Sequence, residues 1–231
     1  MNASTEATER MPIRATGPLI AWAVLAALQA TLALVSYFAL EDTGIDDPLF
    51  TWTFAVGALI QFGILIGFTL AIANAYPDDL GDTLGFRPFA PRWIALAAGV
   101  ILVSLVLSGV MEIFTDAAEE QGLTPQEWHS DRIGQFAASA VMVVLLGPLA
   151  EELFFRGLGV RLLAFAGPAV AIVVTATAFV LAHGVPGTFP PLVVFGAGLA
   201  WVRLRADSVW PTYVAHAAYN AAALALAAAS F

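Results

Sequence analysis

A short stretch near the middle of the chain, residues 147–157 (GPLAEELFFRG), places three ionisable side chains inside a long apolar run. Glu151 and Glu152 are adjacent, and Arg156 follows four residues after Glu152. On a helix, Glu152 and Arg156 share a face and can pair, whereas Glu151 is rotated by about 100° and points elsewhere. Acidic residues can cap a helix start after a proline such as Pro148. Ionisable residues embedded in apolar sequence are nevertheless candidates for function.

Two further motifs place polar side chains in later apolar segments. FVLAHG puts Phe179 and His183 one helical turn apart, and HAAYN puts His216 and Asn220 on one face of the last segment. A histidine near a helix end is often structural. A His–Asn pair among small alanines can also serve as an interhelical hydrogen-bond pair. Both motifs therefore have a structural and a catalytic interpretation.

Residue counting places two of these side chains at similar depth. A turn at residues 167–168 joins the segment of Glu151 to that of His183, about 16 and 15 residues away from the turn. At about 1.5 Å per residue, both reach the same level on antiparallel neighbours. His216 lies only about 9 residues past the turn at Asp207, so the same count leaves it at a different depth from Glu151.

The elements that carry these residues must be membrane helices. The chain has 231 residues, of which 60% are hydrophobic and 12% charged, and its mean hydropathy is +0.83; soluble domains have about twice that charged fraction. Several apolar runs approach the roughly 20 residues that a membrane helix needs. We therefore expect an all-α, polytopic transmembrane bundle in one domain over residues 17–231, after a polar tail at 1–16. The bundle has seven helices if 132–165 is one bent helix and eight if Pro148 divides it.

The arginines predict the orientation of this bundle in the cell membrane. Arg10 and Arg14 precede the first apolar run, 17–40, which is too long and unbroken for a signal peptide and is expected to remain as an anchor. The positive-inside rule then places the N-terminus in the cytoplasm. The acidic loops at 41–48 and 115–131 lie outside, with Arg132 as an exception and His129 expected to be solvated.

Charge and cysteine content exclude several functions. All nine basic residues are arginine, against 18 acidic residues, which fits either a GC-rich genome or adaptation to high salt. Acidic loops argue against nucleic acid as a partner. The chain has no cysteine, which excludes disulfides and thiolate metal ligands.

Together the three motifs resemble those of the CPBP family, which comprises CAAX prenyl proteases and bacteriocin-processing, Abi-type intramembrane proteins. The family pattern EExxxR, FxxxH and HxxxN or HxxxD is present in order over roughly residues 132–230. The resemblance implies a glutamate-dependent intramembrane endopeptidase without metal or other cofactor. Glu151 and His183 would activate water, His216 and Asn220 would stabilise the oxyanion, and Glu152 and Arg156 would support the site as an ion pair.

The resemblance also implies the partners: the lipid bilayer, and a membrane-associated peptide or protein as substrate, with prenylated C-termini among the family's substrates. Two alternatives remain. Glu151, His183 and His216 could bind zinc in a membrane hydrolase, because two histidines and a carboxylate form a catalytic zinc set. The same fold could also serve as a non-enzymatic scaffold or immunity protein.

Overall fold

The computed structural model describes residues 15–39, 47–115, 125 and 127–229, so almost all of the predicted tail and most of both acidic loops lie outside the described residues. The described residues contain helices and no strand, which confirms the all-α prediction. We number the helices in chain order. They are α1 (Thr16–Ala39), α2 (Trp52–Asn74), α3 (Leu80–Leu84), α4 (Arg92–Glu112), α5 (Ser130–Leu162), α6 (Pro168–Leu181), α7 (Phe189–Ala206) and α8 (Trp210–Ala228).

Local sequence signals explain several helix starts. The Thr51 hydroxyl accepts a hydrogen bond from the Phe54 amide at 3.1 Å and caps α2, because a side-chain oxygen can satisfy one of the free amides at a helix N-terminus. Helix α6 begins directly at Pro168, after Gly167 with φ +88°. Proline suits this position because its missing N–H has no helical acceptor there.

Helix α5 is continuous through Pro148, so residues 132–165 do not form two separate helices. It runs for 33 residues, with π-helical turns at Met142–Leu146 and Glu152–Gly159. The Gly147 amide donates to the Met142 carbonyl, five residues back, in place of the usual four. The wider turn absorbs a proline that would disrupt a regular α-helix. Pro148 therefore does not add a helix to the bundle, and the eight helices numbered here include the five-residue α3, which is too short to cross a membrane.

The lengths of these helices define a multi-pass membrane protein. Among the described residues, five helical segments are long and apolar enough to cross a membrane: α1, α2, α4, α5 and the segment Pro186–Ala206, which includes α7. Helix α6 is apolar but shorter. Many large apolar side chains on α1, α2 and α4 are exposed, as expected where the surrounding solvent is lipid. The boundaries predicted for a single domain stay a prediction.

Helix α5 lies at the centre of the bundle. Its Phe154 and Phe155 are almost fully buried, together with Phe179 of α6 and Phe195 of α7. The Trp22 indole of α1 donates a hydrogen bond to the Phe154 carbonyl at 3.0 Å. Helix α7 packs against α4 and α6, and α8 packs against α4, α5 and α7. Side chains on the middle of α5 are therefore surrounded by other helices.

Ion pairs close one end of the bundle, which we call the arginine-rich end and define by residues 75–92, 161–168 and 203–210. Arg87 pairs with Asp82 at 2.9 Å and also with Asp207. The Ser208 hydroxyl donates to the Arg87 carbonyl at 2.7 Å. The Val209 amide donates to the carbonyl of Gly85 at 3.0 Å. These contacts tie the α3–α4 connection to the α7–α8 turn.

The opposite end, which we call the acidic end, is defined among the described residues by 47–53, 113–115, 125–133, 183–189 and 227–229. His129 is not simply solvated there, contrary to the prediction. Its Nε2 lies 2.8 Å from the carboxylate of buried Asp47, and its ring contacts Phe50 at 5.1 Å between centroids. A buried carboxylate needs such partners, which the sequence pattern alone did not indicate.

Candidate active site

A cavity of about 640 Å³ extends from the middle of the bundle towards the acidic end. Residues from α2, α5, α6, α7 and α8 line it, together with residues next to α2 and α6. The four side chains predicted to be catalytic, Glu151, His183, His216 and Asn220, all contribute to this lining. Three separate helices or helix ends therefore bring an acid, two imidazoles and an amide to one cavity.

The expected ion pair between Glu152 and Arg156 is present beneath this cavity. Arg156 Nη1 lies 3.1 Å from Glu152 Oε1, and both residues have no exposed surface. The guanidinium also lies over the Phe179 ring at 4.1 Å and donates weakly to the Gly196 carbonyl at 3.5 Å. Two charges excluded from water can persist only when they are paired. The pair thus lies fully buried below the cavity.

His216 connects this buried pair to Glu151. Its Nδ1 lies 2.9 Å from Glu152 Oε1, and its Nε2 lies 3.8 Å from Glu151 Oε2. Because a carboxylate only accepts hydrogen bonds, Nδ1 carries the proton and Nε2 faces Glu151. The Glu151 side chain retains 20% of its exposure, whereas the Glu152 side chain has none. Glu151 is therefore the carboxylate that a substrate or water in the cavity can reach.

Residue counts predicted that Glu151 lies at the depth of His183 and away from that of His216, whereas the structure places Glu151 next to His216. In the described structure, no oxygen of Glu151 lies within 4.0 Å of a His183 nitrogen, although both residues line the cavity. The count assumed a regular helix from Glu151 to the turn at 167–168. In fact α5 ends at Leu162, and the π-helical turns of Glu152–Gly159 rise less per residue than α-helical ones. Glu151 therefore lies closer to the level of His216.

His183 is held by its own helix end. Its Nδ1 lies 2.8 Å from the Phe179 carbonyl, one turn earlier, and its ring packs on the Phe179 ring at 4.5 Å between centroids. A carbonyl oxygen only accepts, so Nδ1 carries a proton, and in the neutral form of the ring Nε2 is an acceptor. The spacing of the FxxxH motif thus fixes both the tautomer and the ring position.

Asn220 satisfies a carbonyl that the π-helical turn of α5 leaves free. Its Nδ2 donates to the Val143 carbonyl at 2.8 Å. In a regular helix that carbonyl would accept from Gly147, whose amide donates to Met142 instead. The next residue, Pro148, has no N–H to offer. Asn220 therefore ties α8 to α5 with one amide hydrogen, and its second amide hydrogen remains for a ligand in the cavity.

Replacing Asn220 by leucine should cost stability as well as activity. The change leaves the Val143 carbonyl without a donor, and a part-buried unsatisfied polar group costs about 1–3 kcal/mol. Thermal unfolding of the detergent-solubilised protein measures this loss. Asn220→Gln is the matched control, because it keeps the amide and tests its position. Unchanged thermal stability of Asn220→Leu would show that the bond to Val143 contributes nothing.

The described residues offer little support for the zinc alternative. No three histidine, cysteine, aspartate or glutamate side chains among them are arranged to hold a metal ion. Glu151, His183 and His216 line one cavity, but they are not grouped as a set that could hold one ion. Chelator sensitivity and metal analysis of the purified protein remain the direct test of that alternative.

One polar residue of the cavity was not anticipated from the sequence. Gln61 lies in the middle of the apolar helix α2 and contributes to the cavity lining. Its side chain has no hydrogen-bond partner among the described residues. A polar side chain in the middle of a membrane helix is itself a signal of function, and could have singled out this residue.

The fold is an all-α bundle of membrane helices. It encloses a cavity lined by acid, imidazole and amide side chains, as in an enzyme that works within the membrane. These two features define the class of multi-pass intramembrane proteins with a candidate active site. Residues 133–222 match the family model described as type II CAAX prenyl endopeptidase Rce1-like. The match covers the segment that carries all three motifs, and it supports the family of CAAX-type intramembrane proteases that the motifs predicted. Comparison with curated proteins and with solved structures found no significant match.

Proposed function

We propose that this protein is a glutamate-dependent intramembrane endopeptidase in which Glu151 activates water. One observation carries the proposal: among the described residues that line the cavity, Glu151 is the only carboxylate, and His183, His216 and Asn220 line the same cavity. The match to CAAX-type endopeptidases supports peptide hydrolysis.

In the proposed reaction, Glu151 and the free Nε2 of His183 bind a water molecule between them. Glu151 takes a proton from this water as its oxygen attacks the peptide carbonyl carbon. The carbonyl oxygen becomes an oxyanion, which the second amide hydrogen of Asn220 stabilises. In this proposed step His216 carries a proton on Nε2 as well as on Nδ1, so that Nε2 also donates to the oxyanion. Glu151 then returns the proton to the leaving nitrogen as the C–N bond breaks. Glu152 holds His216 in position from below.

The proposed substrate is a membrane-associated peptide or protein, prenylated or not. Thr53, Gln61 and Asn220 interrupt a cavity lining that is otherwise largely apolar on α2 and α8. We further propose that the protein lies in the cell membrane with its N-terminus in the cytoplasm, because arginines predominate at the end of the bundle where α1 starts.

Comparison of membrane peptides from wild-type cells and Glu151→Gln cells tests the proposed activity. We expect at least one membrane peptide to remain uncut in the variant. A non-enzymatic scaffold predicts the opposite result, namely normal peptide processing and normal biological function in Glu151→Gln cells. Equal peptide patterns in both strains would therefore favour the scaffold over the protease.

Gln61 is expected to bind the substrate backbone within the cavity. An amide can donate to and accept from one extended peptide, and this one has no other partner in the described part of the chain. Gln61→Leu should raise KM about 10-fold with a smaller change in kcat, since one lost hydrogen bond is worth about 1–1.5 kcal/mol. Gln135→Leu on α5, outside the cavity lining, is the matched control. An unchanged KM in Gln61→Leu would contradict this role.

A further inference from the structure

The cavity that contains Glu151 reaches the acidic end of the bundle. At that end its lining includes Leu49 just before α2, Thr53 in the first turn of α2, Val185 after α6, and Ala227 in the last turn of α8. None of the described lining residues belongs to 75–92, 161–168 or 203–210, the segments of the arginine-rich end. Among the described residues, the cavity therefore extends from the middle of the bundle to the acidic end and not to the arginine-rich end.

The two ends differ strongly in arginine content. Seven of the nine arginines lie at the arginine-rich end or directly precede α1 in the sequence. Arg132 lies at the acidic end, and Arg156 is buried below the cavity. Cytoplasmic connections of membrane proteins carry an excess of basic residues. The seven are Arg10, Arg14, Arg87, Arg92, Arg161, Arg203 and Arg205.

The described residues of the arginine-rich end are held together by ion pairs and close packing. Arg161 pairs with Asp78, and Arg203, only 4% exposed, lies against the backbone of Gly85. Gly85 has φ +75°, and a side chain there would overlap the Arg203 guanidinium. The loop at Gly85 and the end of α7 are thus packed directly on one another. Entry of a peptide from this side would require these ion pairs and this packing to separate.

We infer that the substrate enters from the extracytoplasmic side and is cut in a segment that lies in the outer half of the membrane or just beyond it. This inference rests on the proposed function and names its substrate class: an exported or membrane-anchored peptide whose scissile bond faces away from the cytoplasm. A C-terminus presented from the cytoplasm would meet the arginine-rich end, on the far side of the floor formed by Glu152 and Arg156.

The absence of native cysteine allows a direct test of this orientation. Two single-cysteine variants each place one thiol on an exposed surface. Ser130→Cys lies at the acidic end, and Ala90→Cys lies at the arginine-rich end. A third variant, Ala223→Cys, places a thiol in the cavity lining. In intact cells, a membrane-impermeant maleimide should label Ser130→Cys and Ala223→Cys at least 10-fold faster than Ala90→Cys, and all three should react after lysis. The reverse preference would overturn the inference.

Mapping of new peptide termini separates this inference from the proposed function. Termini that are present in wild-type membranes and absent from Glu151→Gln membranes should lie in extracytoplasmic or outer-leaflet segments of their parent proteins. Glu151-dependent termini in cytoplasmic segments would overturn the side of entry and leave the protease intact. A lack of Glu151-dependent termini would overturn the protease, whereas maleimide labelling of Ala223→Cys would still decide which side the cavity opens to.

Discussion

Glu151→Gln should lower peptide cleavage by about 10³-fold or more and leave the fold intact. A positioned general base contributes about 10²–10⁴-fold to a rate, and glutamine cannot take the proton of the attacking water. In the structure Glu151 is the one described carboxylate that reaches the cavity, and no second carboxylate is placed to replace it. Residual cleavage close to the wild-type rate would end the proposed mechanism.

The fold should tolerate this change because Glu151 takes no part in the buried ion pair. One of its carboxylate oxygens lies 3.8 Å from His216 Nε2, beyond hydrogen-bond distance. Glutamine has nearly the same shape, so thermal stability should change by less than about 1 kcal/mol. Glu127→Gln, on the exposed surface of the acidic end, is the matched control, and it should keep both stability and cleavage.

Arg156→Met is expected to destabilise the protein more than any other change considered. Removing one member of a fully buried ion pair strands the other, which typically costs about 3–5 kcal/mol. Glu152 would lose its only arginine partner, and the Phe179 ring would lose the guanidinium that covers it at 4.1 Å. We expect a strongly lowered unfolding temperature in detergent and a reduced yield of folded protein from membranes.

The double variant Glu152→Gln with Arg156→Met separates charge from packing. Both charges are then absent, and the glutamine oxygen can still accept from His216 Nδ1, so most of the lost stability should return. Arg161→Met, at a half-exposed ion pair with Asp78, is the matched control and should cost about 1 kcal/mol or less. If Arg156→Met unfolds at the wild-type temperature, the buried pair is not what stabilises this region.

The sequence was sufficient to predict the fold class and which motif residues line the cavity. It was not sufficient to predict which of these residues contact one another. Composition and apolar run lengths were sufficient for an all-α membrane bundle, because the bilayer allows few alternatives. The spacing of Glu152 and Arg156 predicted their pair, because helical periodicity is local. The neighbour of Glu151 could not be predicted, because the depth of Glu151 in the membrane depends on π-helical turns, and no residue pattern in the sequence predicts these turns. Gln61 belongs to none of the three motifs, so only its position in the middle of an apolar helix could have indicated it.

The hydrogen bond from the Asn220 side chain to the Val143 carbonyl couples two positions that are distant in the sequence, 148 and 220. Pro148 lacks the N–H that the widened turn would otherwise direct at Val143, so the asparagine supplies a hydrogen that the backbone cannot. Exchange of the proline for alanine would return that hydrogen to the helix and leave the asparagine amide free. In this chain an aspartate at position 220 would instead direct a carboxylate at a carbonyl oxygen. Substitutions at positions 148 and 220 should therefore be non-additive, with an interaction free energy that directly measures how the helix defect and the site are coupled.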